Sequence, residues 1–182
     1  MAAEAAARGA EVRLISTVDR PVPPGVQVTL VETAAQMHEA VMQNNDADVV
    51  VMSAAVADYR PISVAGSKIK KTADQLDVAL EKTVDILAAL GAAKRPGQTL
   101  VGFAAETDDV VDNARGKLER KGADFIVAND VSAPDVGFAH DTNEVTIVSA
   151  NGSVGVPLRS KRDIAKAILD QVVAARSSDP TS

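Results

Sequence analysis

The sequence predicts an α/β fold: a doubly wound, mostly parallel, Rossmann-like sheet with helices on both faces and a small C-terminal β-hairpin. Three observations carry this. Apolar runs of strand length alternate with segments of helical period through most of the 182 residues. The connections between them are short. The run Val49-Val50-Val51-Met52 has the character of a strand covered on both faces, as in the middle of a parallel sheet.

Taken in order, residues 1–9 read as the back half of a helix, with Gly9 at its C-cap. Residues 11–17 form a strand, the Pro-rich stretch 21–25 turns the chain, and 26–32 form a second strand. Thr33 caps a helix over 34–44 that presents Ala34, Met37, Ala40 and Val41 on one face. The central strand spans 48–56. A lysine-bearing loop follows, then an alternating strand over 76–82, and Thr83 opens a helix over 84–93. Residues 99–105 are a buried strand, and Thr107 caps a helix over 108–121 with Asp108 and Asp109 in its positive first turn and Gly122 beyond its end. Residues 124–129 form a strand, and a long loop crosses Pro134 and Gly137. A hairpin over 143–149 and 153–157 turns at Asn151-Gly152, and a final amphipathic helix covers 161–175. One nucleotide-binding domain, 1–176, is expected, with 177–182 a loose tail. Doubly wound folds open with a strand and a glycine-rich turn that cradles phosphate, whereas this chain opens inside the helix. The first strand and its loop are therefore expected to have been lost.

Composition narrows the chemistry. Apolar residues make up 46 % of the chain but aromatics only 2 %, so Ala, Val, Leu and Ile build the core. The net charge of −6 argues against a nucleic-acid binder. With no cysteine, disulfides, thiolate catalysis and Cys-ligated zinc are excluded. His38 and His140 have no ligand spacing. No apolar run approaches the ~20 residues of a membrane helix, and no signal peptide is visible, so a cytoplasmic protein is expected. P-loop, G-x-G-x-x-G, G-x-S-x-G and Tyr-x-x-x-Lys patterns are all missing. A nicotinamide-dependent oxidoreductase fits the fold but none of the motifs.

The stretch 49–71 organises the rest. Small residues Ser53, Ala54 and Ala55 follow the strand and let a ligand approach the backbone; then come a buried-looking acid, Asp58, and after Gly66-Ser67 the lysines Lys68, Lys70 and Lys71. Ligands of open α/β sheets bind beyond the carboxyl ends of the strands. The plain alternative is a solvated charged loop, but its position after a small-residue strand end favours a phosphate site, with Lys68 the foremost member. Asp58 is either a helix or turn cap, or else an acceptor for ribose hydroxyls or a neighbour of a metal held by phosphates, and the residues leave these even. Asn113, Lys117 and Lys121 share one helix face, either a solvated face or cations aimed at a nucleotide beside the strand end Gly102-Phe103-Ala104-Ala105. Phe103 is either core or a contact to a base.

Together, AAVADYRP, the K-x-K-K at 68–71, GFAAET at 102–107, ARGKLERKGAD at 114–124, and ANDVS followed by GF and DTNEV resemble phosphopantothenoylcysteine synthetase, the C-terminal ligase half of a bacterial bifunctional protein of coenzyme A biosynthesis. The resemblance covers nearly the whole chain. It implies ligation of 4′-phosphopantothenate to L-cysteine with CTP and Mg²⁺ through an acyl-cytidylate, releasing pyrophosphate and CMP. It implies Lys68 as the catalytic residue that stabilises departing pyrophosphate, and Ala54, Ala55, Asp58, Lys68, Lys82, Thr83, Val84, Asp85, Phe103, Lys117 and Lys121 as the nucleotide site. Magnesium would be carried by the nucleotide, with no protein metal site. The partners implied are the small-molecule substrates, a second copy in a homodimer that the 143–157 hairpin helps to form, and, in a full-length protein, a fused flavin-dependent decarboxylase domain. Val84 replaces the family's usual proline, a small local loosening at a helix start. The family's G-N-R-S-S-G loop would lie just before residue 1, so the expectation is a chain that keeps the nucleotide site but is weak or dead in catalysis. The second functional reading is a non-catalytic nucleotide-binding module or an inactive fragment of the enzyme.

Overall fold

A computed structural model describes residues 1–64, 66–67, 76–106, 108–130 and 142–178. Helix α1 (Ala2–Ala7) has Arg8 at its C-cap, and Gly9, the expected cap, follows one residue later. With φ of +87°, Gly9 lets its own N–H reach Ala6 O at 3.0 Å and the Ala10 N–H reach Ala5 O at 3.1 Å, closing both orphan carbonyls. Strands β1 (Val12–Ser16) and β2 (Val26–Leu30) pair in parallel as a two-stranded sheet. Helix α2 (Ala34–Gln43) starts on a reciprocal cap: Thr33 accepts from the Gln36 N–H while the Gln36 side chain accepts from the Thr33 N–H. It buries Met37, Ala40 and Val41, the face its sequence spacing marks.

The main sheet runs β3 (Val49–Met52), β6 (Thr99–Glu106), β7 (Phe125–Asp130), β8 (Thr142–Ser149), β9 (Gly152–Ser160), in that spatial order. The first three strands are parallel and the last two antiparallel, so the sheet is mixed. The C-terminal hairpin is not a small appendage: β8 and β9 extend the sheet by two full strands. Its turn is Ala150-Asn151, and Gly152, at φ +133°, already pairs with Ser149. The central position falls to β7, and β3 is an outer strand among the described residues. Its four residues are accordingly half-buried rather than covered on both faces, and they stop at Met52, well short of 56.

Helices cover both faces. On one face, Val50, Met52, Leu100, Ala104, Ile126 and Ala128 pack beneath α2, α3 (Ile86–Ala92) and α4 (Val110–Lys121). On the other, Val51, Val101, Phe103, Val127 and Ile147 pack beneath α5 (Lys161–Ser177). The alternation along each strand divides these two sets, as a two-sided sheet requires. Asp124 fixes the start of β7 by accepting from the Leu100 N–H at 2.7 Å and from Lys94 at 2.7 Å.

Three starts differ from the sequence expectation. The helix expected over 84–93 is capped by Asp85, which accepts from the Ala88 N–H at 3.0 Å, and not by Thr83. The Thr83 hydroxyl instead donates to Ala57 O at 2.6 Å, tying the loop after β3 to the segment that leads into α3. Helix α4 begins at Val110 behind Asp109, whose φ of 44° is left-handed and whose side chain makes no cap; Thr107 lies outside the described residues. The strand expected over 76–82 is only β5 (Leu80–Lys82), which pairs antiparallel with β4 (Tyr59–Pro61) off the main sheet. All six of these residues are exposed, so no buried face stood to extend the pairing.

Candidate nucleotide site at the carboxyl ends of three parallel strands

Strands β3, β6 and β7 end side by side. Met52 is in register with Gly102, and Ala105 with Asn129. Gly102 is where helix α3 comes close: a Cβ there would sit 2.6 Å from a methyl of Leu87. Beyond these ends opens a cavity of about 640 Å³, within the range of small-molecule sites. The loop 53–58 forms one wall, the segment 82–87 a second, and the tips of β6 and β7 with α4 a third.

The described site candidates all meet here. Ala54, Ala55, Asp58, Lys82, Thr83, Val84, Asp85, Phe103, Lys117 and Lys121 line this one cavity. Lys68, with Lys70 and Lys71, lies outside the described residues. Asp58 is exposed rather than buried, and its backbone carbonyl, not its side chain, accepts from the Thr83 N–H at 2.9 Å. Phe103 points to the α5 face, with its ring against the cluster there, and borders the cavity from that side. Asn113 does not join its helix neighbours in the cavity; its amide donates to Asp108 O at 2.8 Å.

Lys117 and Lys121 reach the cavity because i, i+4 spacing stacks them on one face of α4. Neither is a bare cation. Lys117 Nζ is 3.0 Å from Glu106 Oε1 at the tip of β6, and Lys121 is ion-paired with Asp85. Glu106 escaped the sequence reading although it stands inside GFAAET; the signal was its place at a strand tip within reach of a helix lysine. Asn129 also escaped, although it stands inside ANDVS at the equivalent tip of β7.

Asp85 holds two partners at once, the α3 amide and Lys121. Partial burial by itself pushes its carboxyl up, but the hydrogen bonds from Lys121 and the Ala88 N–H and the charges of Lys121 and Lys117 outweigh that and hold it below the ordinary aspartate range. A carboxylate depressed in the folded state stabilises the fold above the unfolded pKa and loses that contribution as pH falls through the folded value. Asn caps a helix about as well as Asp, so Asp85→Asn isolates the charge. The variant is expected to melt lower than the parent near pH 7, with the gap closing as pH drops below about 4. Thermal unfolding from pH 3 to 7 checks this, and a gap that persists in acid would assign the effect to geometry alone.

Residues 1–175 match the family described as DNA/pantothenate metabolism flavoprotein C-terminal domain. The chain belongs to this family. It is 46 % identical over 177 residues to the Coenzyme A biosynthesis bifunctional protein CoaBC of Bacillus subtilis (strain 168), covering 94 % of this chain and 43 % of that protein. It is 38 % identical over 177 residues to a protein named Cysteine/Cysteine sulfinic acid decarboxylase from an unknown prokaryotic organism, covering 95 % of this chain and 49 % of that one. Among solved structures it superimposes on the C-terminal domain of Coenzyme A biosynthesis bifunctional protein CoaBC with a TM-score of 0.81 and 39 % identity, over 98 % of this chain and 81 % of that one. The chain thus spans about half the length of the curated relatives it matches. The match with the CoaBC C-terminal domain bears out both the resemblance read from the motifs and the α/β fold class. Among the described residues, no helix is long and apolar enough to cross a membrane.

Proposed function

We propose that this family member is a phosphopantothenate–cysteine ligase: it joins 4′-phosphopantothenate to L-cysteine at the expense of CTP, through an acyl-cytidylate, giving 4′-phosphopantothenoylcysteine, CMP and pyrophosphate in coenzyme A biosynthesis. One observation carries the reading. Small-residue strand ends at Ala54 and Ala55, a helix start at Asp85 and two helix lysines, Lys117 and Lys121, converge on a single cavity at the carboxyl edge of the sheet. The names of the curated relatives support the pathway, and their greater length supports fusion to a decarboxylase domain.

The chemistry asks for what this edge offers. A carboxylate does not accept an amine until one of its oxygens becomes part of a good leaving group. Cytidylylation achieves that and throws negative charge onto the departing pyrophosphate, which lysines placed in advance offset. The cysteine amine then attacks the activated carbonyl, and CMP leaves. The small side chains at 53–57 admit the nucleotide to the backbone, and Asp58 faces its ribose. Mg²⁺ keeps waters and binds through substrate phosphates with one or two carboxylates, and Asp58, an exposed acid that lines the cavity without an ion-pair partner among the described residues, would help to hold it. When bound, the ion supplies further screening of phosphate charge.

The test is pyrophosphate release from CTP with each substrate withheld in turn, run beside a direct CTP titration. Release that requires 4′-phosphopantothenate is the expected result. CTP binding with no release under any condition would select the non-catalytic nucleotide-binding module, and the absence of both would overturn the nucleotide reading altogether.

A further inference from the structure

The cavity has two sides, and the ligase reading engages mainly one. Lys117, Lys121 and Asp85 approach from the helices on the α3–α4 face of the sheet. Strand alternation puts Asn129 on the opposite face: it is in register with Ala105 and two residues on from Val127, whose side chain packs under α5. There Asn129 lines the cavity near Phe103. Its Oδ1 is shielded from solvent and accepts no hydrogen bond among the described residues. The only other such atom among them, Asn45 Oδ1, belongs to a residue that does not line the cavity and whose amide donates to Ala93 O at 3.2 Å. A shielded polar atom without a partner is unfavourable, and natural proteins keep few of them. One at the rim of a ligand cavity is matched when a ligand arrives.

We infer that Asn129 binds the acyl substrate, contacting the uncharged hydroxyl and amide part of 4′-phosphopantothenate on the side of the sheet edge opposite the lysines. This rests on the ligase reading. Two reactants must meet at one strand edge for the acid to attack the nucleotide. The face carrying lysines suits the polyphosphate. The other face, bounded by a phenyl ring and a carboxamide, suits a chain with apolar stretches interrupted by neutral donors and acceptors. A carboxamide offers one acceptor and two donors, which complements an amide or a hydroxyl better than it complements a phosphate.

The experiment is calorimetric titration of 4′-phosphopantothenate, and separately of CTP, into the chain and into Asn129→Ala and Asn129→Ser, with thermal unfolding of each to verify folding. Removing one partner of a shielded hydrogen bond is expected to weaken 4′-phosphopantothenate binding about tenfold or more, with CTP affinity within about twofold of the parent. In turnover, the same variants should raise KM for 4′-phosphopantothenate and leave KM for CTP in place, a split that a merely structural role would not produce. Loss of CTP affinity instead would assign Asn129 to the base or ribose and overturn the inference, as would folded variants that bind both ligands like the parent. A parent chain that binds neither ligand would defeat the ligase reading itself, a result separate from any property of the variants.

Discussion

Replacing Lys68 by Gln is expected to lower 4′-phosphopantothenate-dependent pyrophosphate release about 100-fold or more while changing CTP affinity only a few-fold, the pattern of a group that acts on charge developing in the transition state. Around the cavity, Lys82, Lys117 and Lys121 are matched in number by Asp58, Asp85 and Glu106. Two of the three lysines are spoken for, Lys117 by Glu106 and Lys121 by Asp85, and only Lys82 forms no ion pair among the described residues. A site so balanced would orient the proposed nucleotide by hydrogen bonds but has little positive charge to spare for a leaving pyrophosphate. That charge has to come from elsewhere in the chain. The run Lys68, Lys70, Lys71 is the concentrated source, and it joins β4 to β5, whose residues Tyr59 and Lys82 themselves line the cavity. Stopped-flow or coupled pyrophosphate assays with a parallel CTP titration check the prediction. Equal losses of binding and release would make Lys68 a ground-state anchor, and an unchanged rate would remove it from the chemistry.

How much of this was legible in the sequence depends on whether the signal was local. The helix over 34–44 was readable because Thr33, Gln36 and the spacing Met37, Ala40, Val41 all point the same way, and each is a short-range effect. The end of the first helix beside Gly9 was readable for the same reason. The candidate site was readable as a set of motifs, because strand tips and a helix face announce themselves by small residues and by i, i+4 lysines. What the sequence did not disclose was everything decided by partners far along the chain. Val49–Met52 looks like a central strand by composition, yet its place in the sheet depends on which strands flank it. Thr83 and Asp85 are both competent caps; the choice fell to Asp85 because Thr83 is engaged by Ala57, a residue 26 positions away. Asp58 resembles a buried acid in an apolar context, but the loop it occupies turns outward. The pairing of Lys117 with Glu106 spans two elements, and no periodicity encodes it.

The largest stability effect is expected at Gly91, and there two principles give opposite signs. Gly91 lies inside α3, and replacing a helix-interior glycine by alanine ordinarily gains about 1 kcal/mol. Here α3 crosses α4 at that residue. A Cβ on Gly91 would fall inside contact distance of the Lys121 carbonyl oxygen and 2.8 Å from its carbonyl carbon. Both atoms are backbone, so no side-chain rotation relieves the overlap and the helices must move apart. Overpacking of this kind costs about 1–3 kcal/mol and occasionally more, and a clash with backbone belongs at the upper end. We therefore expect Gly91→Ala to destabilise by about 2 kcal/mol net, a fall in melting temperature of about 4–8 °C for a chain of this length. Gly102→Ala is the matched control. Its Cβ would meet the ends of the Leu87 and Ile126 side chains at 2.6 and 2.9 Å. Those ends can shift, so its loss should be the smaller one. The consequence also reaches function, because the displaced helix end carries Lys121 and the pair it forms with Asp85. Gly91→Ala should thus weaken CTP binding at a temperature where the variant is still folded. Thermal unfolding with a CTP titration at 20 °C reads both effects, and a variant as stable as the parent would mean that the two helices are not held at this crossing.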